Sequence, residues 1–540
     1  MAIAEKLEYL NGTKQAIKTA IQNRGVSVSD TDTFREYATK IGDIGESVDN
    51  IKYGVSINNI FGDVNDTGTL QKPAALESFN GVGIVRMYAE AFYNKFYDDD
   101  NIKEILFPDL RYYNYKGMLR QVGGNVSGTS SLVKIDLGSQ VENQMTITGE
   151  LCLASAFAQC SNLETVLHGS FRYISGTQPC YFAFQNCKKI TETILKDVEY
   201  ITGSMAAQYM YSGCDSLKTT GFTKITRIGA SGSSYNNCCS NMFENCTSLE
   251  STGLDTLQEV HGNVCAYMFS GCTALKSTGL KNLTTYTGVA FSNTFYGCTA
   301  LEDTELGNIT EASSNQCFNR MFAGCTALKT TGLTNLKNIK VANSCYGMFE
   351  DCTGLTDIGL DNLTTITTMA GAVSMFSGCS GLEIVRFKCL ESILGASGSN
   401  KMFQKCTGLK KVFFPMLQTI TNINTFGNAT AANAMFYQCN AMEEIHFRIS
   451  TQTVIEGMAN YGAKFGATNA TIYFDLVGTI TVNDVAYVRD ESKSVGETWI
   501  AWVDESGNIV YTDGSAEPAV NTVVYSDSGV TQVGTVSAIA

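Results

Sequence analysis

One short pattern recurs down this chain and limits what it can become. MFENCTSLESTGL, MFSGCTALKSTGL, TFYGCTALEDTEL, MFAGCTALKTTGL, MFEDCTGLTDIGL, MFSGCSGLEIVRF and MFQKCTGLKKVFF follow one another. The anchor cysteines are Cys160, Cys187, Cys214, Cys246, Cys272, Cys298, Cys325, Cys352, Cys379, Cys406 and Cys439, spaced 26 to 33 residues apart. Two copies without the cysteine precede them. Phe96, Asp99 and Ile102 lead into Lys103–Pro108, and Val126, Thr129 and Leu132 lead into Val133–Leu137. The pattern predicts thirteen units of the form F-x-x-C-x-x-L-x-x-ϕ-x-ϕ, with ϕ apolar or Thr. A unit this small cannot bury its own apolar face, whereas a stack can. The expected fold is therefore a repeat solenoid of leucine-rich type. Each 26–33 residue unit should supply a short strand plus a turn or helical piece.

After the anchor leucine the residues alternate, as in Leu382-Glu383-Ile384-Val385-Arg386-Phe387. Period-two alternation predicts a strand with one buried face. Thr252, Thr278, Thr304 and Thr331 occupy an inward position in the middle copies. Stacked threonines there can bond between strands, at some cost in burial and hence in stability. A second cysteine column, Cys152, Cys180, Cys239, Cys265, Cys317 and Cys345, stands seven or eight residues ahead of the anchors. A metal site would want Cys-x-x-Cys pairs or nearby histidines, and the sequence has neither. Both columns are expected to pack as buried thiols. The methionine column from Met242 to Met435 is expected in the core as well. No metal and no cofactor is expected, and the acidic run Asp98–Asp100 reads as a solvated turn.

Histidine is scarce: His168, His261 and His446, none beside a nucleophile or carboxylate pair in the sequence. No phosphate loop or dinucleotide fingerprint occurs, and the expectation is that the chain is not an enzyme. Its formal charge of −14 and lack of a basic stripe argue against nucleic acid as partner. No run of about 20 apolar residues occurs, so membrane insertion is not expected. Glu5, Lys6 and Glu8 interrupt what would be the apolar core of a signal peptide.

The repeat resembles the BspA-like, Treponema-type leucine-rich repeat, over residues 84–450, with Pro108 and Pro415 where that family often carries proline. The resemblance implies a non-catalytic protein that binds extracellular proteins or cells. The ends differ from the repeat. Ile3, Leu7, Leu10, Lys14, Ile17 and Ile21 form a heptad seam with one polar member, and Phe34, Tyr37, Ile41 and Ile44 share a second helical face. This stretch resembles the N-terminal region of phage tail-fibre and baseplate proteins. The two helices read equally as a hairpin closing on itself or as a segment that docks onto other virion proteins or makes a homo-oligomer, and the resemblance points to the second. Beyond the repeat, Ala470-Thr471-Ile472-Tyr473-Phe474-Asp475, Trp499–Val503 and Asn508–Tyr511 read as strands of a small all-β module that resembles modules of phage fibres. The expected organisation is a helical segment at 1–50, a connection at 51–83, the solenoid at 84–450 and the β module at 451–540.

Solenoids bind along the face their strands present. The candidate binding residues are Lys276, Lys329, Glu383, Arg386, Lys410, Lys411, Phe413 and His446 on outward strand positions, with Trp499 and Trp502 in the terminal module. Each tryptophan can equally serve a core. Alternating charges along the face suit a protein or glycan surface. The expected function is host-surface recognition by a tailed-phage virion protein of tail-fibre type. The alternatives are a virion scaffold that binds only virion proteins and a bacterial adhesin of the BspA-like class.

Overall fold

A computed structural model describes residues 77–540, apart from positions 88, 126–129, 231–236, 368, 396, 423, 428–430, 491–492, 496–497, 515 and 528–530. Nearer the N-terminus it describes only 14–15, 17–19, 28–29, 31, 55–57 and 63–66. Of the two helices expected within 1–50, only positions 14–15 and 17–19 are described, and these are helical; of the copy built on Val126 and Thr129, positions 126–129 lie outside the described residues. The chain forms two compact units, Met1–Ile225 with Tyr235–Thr247, and Thr226–Ser234 with Ser248–Ala540. Among the described residues the chain has about 14 turns of β-solenoid, few helices, and a closed six-stranded barrel at the C-terminus.

In the first unit the strands Ser78–Asn80, Glu104–Phe107, Lys134–Leu137 and Thr165–His168 pair in parallel, one per coil. Their register puts Phe79, Ile105, Ile135 and Val166 in one inward column. The ladder thus begins ahead of residue 84. A second parallel sheet follows the corner of each coil: Met145–Ile147, Phe171–Ile174 and Tyr200–Ile201. The motif segment between the sheets is a ribbon of linked turns rather than a helix. Every fourth residue in it has positive φ, as at Leu151, Ser155 and Gln159, then Gln178, Phe182 and Asn186. These residues send their N–H groups to the next coil, for example Leu151 to the Thr177 carbonyl (3.1 Å) and Ser155 to that of Tyr181 (2.7 Å). Alternate residues between them close four-residue turns, as Ala154 does on Leu151 (3.1 Å), while Leu153 also donates to the next coil, at the Pro179 carbonyl (2.6 Å). The left-handed conformation costs on the order of 1–2 kcal/mol for an L-residue, and the bonds between coils offset that cost.

The second unit repeats the scheme. One sheet joins Glu311–Ala312, Asn338–Ile339, Thr365–Ile366, Ser392–Ile393 and Thr419–Ile420. Another joins Ile384–Arg386, Lys411–Phe414, Glu444–Arg448 and Thr471–Leu476. The last of these was expected in the terminal module and is instead a rung of the solenoid sheet. In the middle copies the strand expected after the anchor leucine narrows to single paired residues, Ser277 with Asp303 and Thr330 with Asp357. The threonine column lies just inside those positions. Thr252, Thr278, Thr304 and Thr331 donate to the carbonyls of Thr278, Thr304, Thr331 and Ile358 at 2.6–2.7 Å. Thr252, Thr278 and Thr331 also accept the N–H two residues on. The hydroxyls are paired, which compensates the loss of apolar burial expected there.

Ring stacking fills each core. Phe157, Phe184, Tyr211 and Phe243 stack at 5.1–5.5 Å in the first unit. Phe269, Phe295, Phe322, Phe349, Phe376, Phe403 and Phe436 stack at 5.4–5.9 Å in the second. The anchor cysteines serve this column directly. Cys352 donates its thiol hydrogen to the Phe322 carbonyl (3.1 Å), and Cys379, Cys406 and Cys439 do the same to Phe349, Phe376 and Phe403. All nineteen cysteines are free thiols, and all but Cys389 are buried. Burial pushes the thiols of Cys160, Cys246, Cys298, Cys352 and Cys439 up to about 12.

The barrel comprises Thr479–Val482, Val485–Arg489, Trp499–Val503, Ile509–Asp513, Val523–Tyr525 and Gln532–Ile539, and Ile480 opposite Ile539 closes it. Ile480, Val482, Ile500, Val510, Val524 and Val536 surround Trp502. Trp502 is wholly buried and donates its indole N–H to Thr512 Oγ1 (2.8 Å). It is therefore a core residue and not a binding residue.

Candidate recognition face

The outward positions of the sheet from Ile384 to Leu476 bring most of the candidate residues together. Parallel register aligns Arg386, Phe413, His446 and Tyr473 across its four strands. The Arg386 guanidinium lies 4.4 Å from the Phe413 ring centre. Phe413 stacks on His446 at 4.6 Å and 18°, and His446 on Tyr473 at 4.7 Å and 14°. These spacings match the strand repeat of about 4.8 Å, so backbone pairing itself sets the ring contacts. Cation–π attraction and offset stacking fix side chains that would otherwise move freely in solvent.

A row of charges runs beside the rings. Glu383 pairs with Lys410 (3.0 Å) and Lys411 with Glu444 (2.8 Å). His446 lies between two carboxylates, with Nε2 3.0 Å from Glu444 and Nδ1 2.8 Å from Asp475. This corrects the sequence expectation that no histidine meets a carboxylate pair. The ring makes both bonds at once only when both nitrogens carry hydrogen. Lys411, and then His446, hold the Glu444 carboxyl below the usual carboxylate range. His446 is 9% exposed because rings cover both its faces, while Tyr473 is 40% exposed. The result is a preordered strip with ring edges and paired charges outward.

The other candidates stand apart. Lys276 and Lys329 are exposed beside the single paired residues of the middle copies. Among the described residues, no ion pair joins either of them. Trp499 is half-buried on the barrel's outer wall, edge-on to Tyr525 at 5.4 Å. Sequence reasoning missed Glu444, Tyr473 and Asp475. Glu444 was legible as the residue two before His446, on the same face of one strand. Tyr473 and Asp475 belong to a coil whose cysteine and leucine positions are taken by Ala467 and Ala470. Ala470 makes the same turn bond to Ala467 (3.0 Å) that Met442 makes to Cys439 (3.1 Å).

The profile of the BspA type leucine rich repeat region matches in overlapping segments, 153–240, 183–320, 236–383 and 320–464, which together span more than half of the chain. The chain belongs to the BspA-type leucine-rich repeat family. The candidate strip occupies the last coils of this BspA-type array and the coil beyond them. A solved leucine-rich repeat protein from Leptospira interrogans aligns at 11% identity over 69% of this chain and 96% of that one. The TM-score is 0.17, too low for residue-level correspondence. The comparison with curated proteins returns no match. Among the described residues no helix is long and apolar enough to cross a membrane.

Proposed function

We propose that this BspA-type protein is a non-enzymatic recognition protein that grips a surface protein through the strip of Arg386, Phe413, His446 and Tyr473. The observation that carries the proposal is the continuous stack of one cation and three rings, flanked by paired charges of both signs. Rigid aromatic and arginine side chains lose little entropy on binding and dominate the energy of protein interfaces. Alternating charges favour a partner of mixed charge over a polyanion. Both ring nitrogens of His446 face carboxylates, which suits a structural clamp better than proton transfer. The setting we favour is the outside of a particle or a cell. A tailed-phage fibre docked through its N-terminal segment and a bacterial surface protein would each use such a strip against another surface.

The test is flow cytometry of the fluorescently labelled full chain on several bacterial cell types and one epithelial type. Binding to at least one type is expected, weakened about tenfold or more in an Arg386→Ala/Tyr473→Ala double variant. A Lys276→Ala/Lys329→Ala variant should bind as the parent does. Equal binding by all three proteins, or binding to no cell type, would contradict the proposal.

A further inference from the structure

A separate feature of the first unit points to a second, different ligand. Where the strand Thr165–His168 ends, the following coils replace their strands with turns, and an open groove of about 660 Å³ lies between them. Its volume falls within the range of small-ligand sites. Its lining mixes apolar surface from Val141 and Phe222 with hydroxyls and charged groups, among them His168, Ser170, Glu192, Lys196 and Asp197.

Two of these groups are held in place by their neighbours. The Asp197 carboxylate receives the Ser170 hydroxyl (2.8 Å) and the Lys224 ammonium (2.7 Å). Those two donors hold its carboxyl below the usual range, Lys224 more than Ser170. A carboxylate has about four lone-pair sites, so acceptor capacity remains toward the groove. His168 Nδ1 lies 2.7 Å from the Gly169 carbonyl. A carbonyl can only accept, so Nδ1 carries the hydrogen and Nε2 of the neutral ring is an acceptor. Glu192 and Lys196 are exposed on the same groove. One is a mobile acceptor and the other a mobile donor. Oriented acceptors, one cationic donor and a hydroxyl rim match a ligand that offers many hydroxyls and no net charge.

We propose that this groove binds a neutral saccharide of one or two sugar units. Asp197 and His168 accept its hydroxyls, and Lys196 donates to its oxygens. The proposal is independent of the strip described above, which involves none of these residues.

The experiment is saturation-transfer NMR of the full chain with maltose, cellobiose, lactose and N,N′-diacetylchitobiose, followed by titration of any that respond. At least one disaccharide should receive saturation on its ring protons. Its Kd should rise about tenfold or more in Asp197→Asn and in Lys196→Met, the loss expected for one charge-assisted hydrogen bond. Lys196 is exposed, so its variant keeps the fold even if Asp197→Asn disturbs the Lys224 contact. Tyr473→Ala should leave the Kd unchanged. The proposal is overturned if no disaccharide responds at about 10 mM, a weak-binding limit, or if both groove variants bind within about twofold of the parent.

Discussion

The anchor cysteine illustrates how much one side chain does in a stacked fold. Its thiol fills a small gap between coils and donates to the carbonyl of a stacking phenylalanine. A methyl group fills less and donates nothing. Both cysteine columns are buried free thiols, as their spacing without Cys-x-x-Cys pairs or histidines implied. The donor role was not legible, because spacing says nothing about which carbonyl a thiol meets. A consequence follows for alkaline pH. In the unfolded chain these thiols ionise near 9.0, while in the fold Cys160, Cys246, Cys298, Cys352 and Cys439 hold their protons to about 12. Their folded values are raised, so the stability they contribute is complete below pH 9 and is lost as pH rises through that window. The Tm of the full chain, followed from pH 7 to 11, should fall steeply above about 9 because several protons are released together. A flat profile to pH 10.5 would show that the thiols are not held this way.

At the scale of the element, the middle coils depend on a ladder of hydroxyls where the last coils depend on strands. Thr278 donates to Thr304 and accepts from Leu280. Thr278→Val keeps the shape but removes both bonds, and should cost about 1–3 kcal/mol in chemical denaturation. A change below about 0.5 kcal/mol, the size of an ordinary surface substitution, would mean that water replaces the hydroxyl. The threonine ladder was readable from four inward threonines at a constant phase. The turn ribbon was not. Its positive-φ sites hold Leu151, Gln178, Phe182, Met205 and Tyr209, residue types that carry no left-handed preference, so pairing between coils imposes the conformation. The second strand column was illegible in the sequence for a related reason. Two-residue strands such as Asn338–Ile339 are too short to show a period.

For the whole molecule, the repeat made the core legible and left the surface open. Cys, Leu and Phe recur because a stack admits few alternatives at a buried position. Outward positions are free to vary, and their meaning depends on which neighbours the register supplies. Glu383, Arg386, Lys410, Lys411, Phe413 and His446 were readable one by one as outward. That Arg386, Phe413 and His446 stack, and that Tyr473 and Asp475 complete the strip, depends on a final coil that lost both of its signature residues. Trp502 shows the converse, a conspicuous residue that the barrel consumes as core. The proposed recognition rests on this strip. Hydroxyl-radical footprinting of the full chain, free and bound to the cells it recognises, tests it directly. The strip predicts protection of Phe413 and Tyr473, with Tyr267, Tyr296 and Tyr346 on the turn ribbon and Trp499 on the barrel labelled as before. Protection confined to those tyrosines or to Trp499, with Tyr473 unchanged, would contradict it.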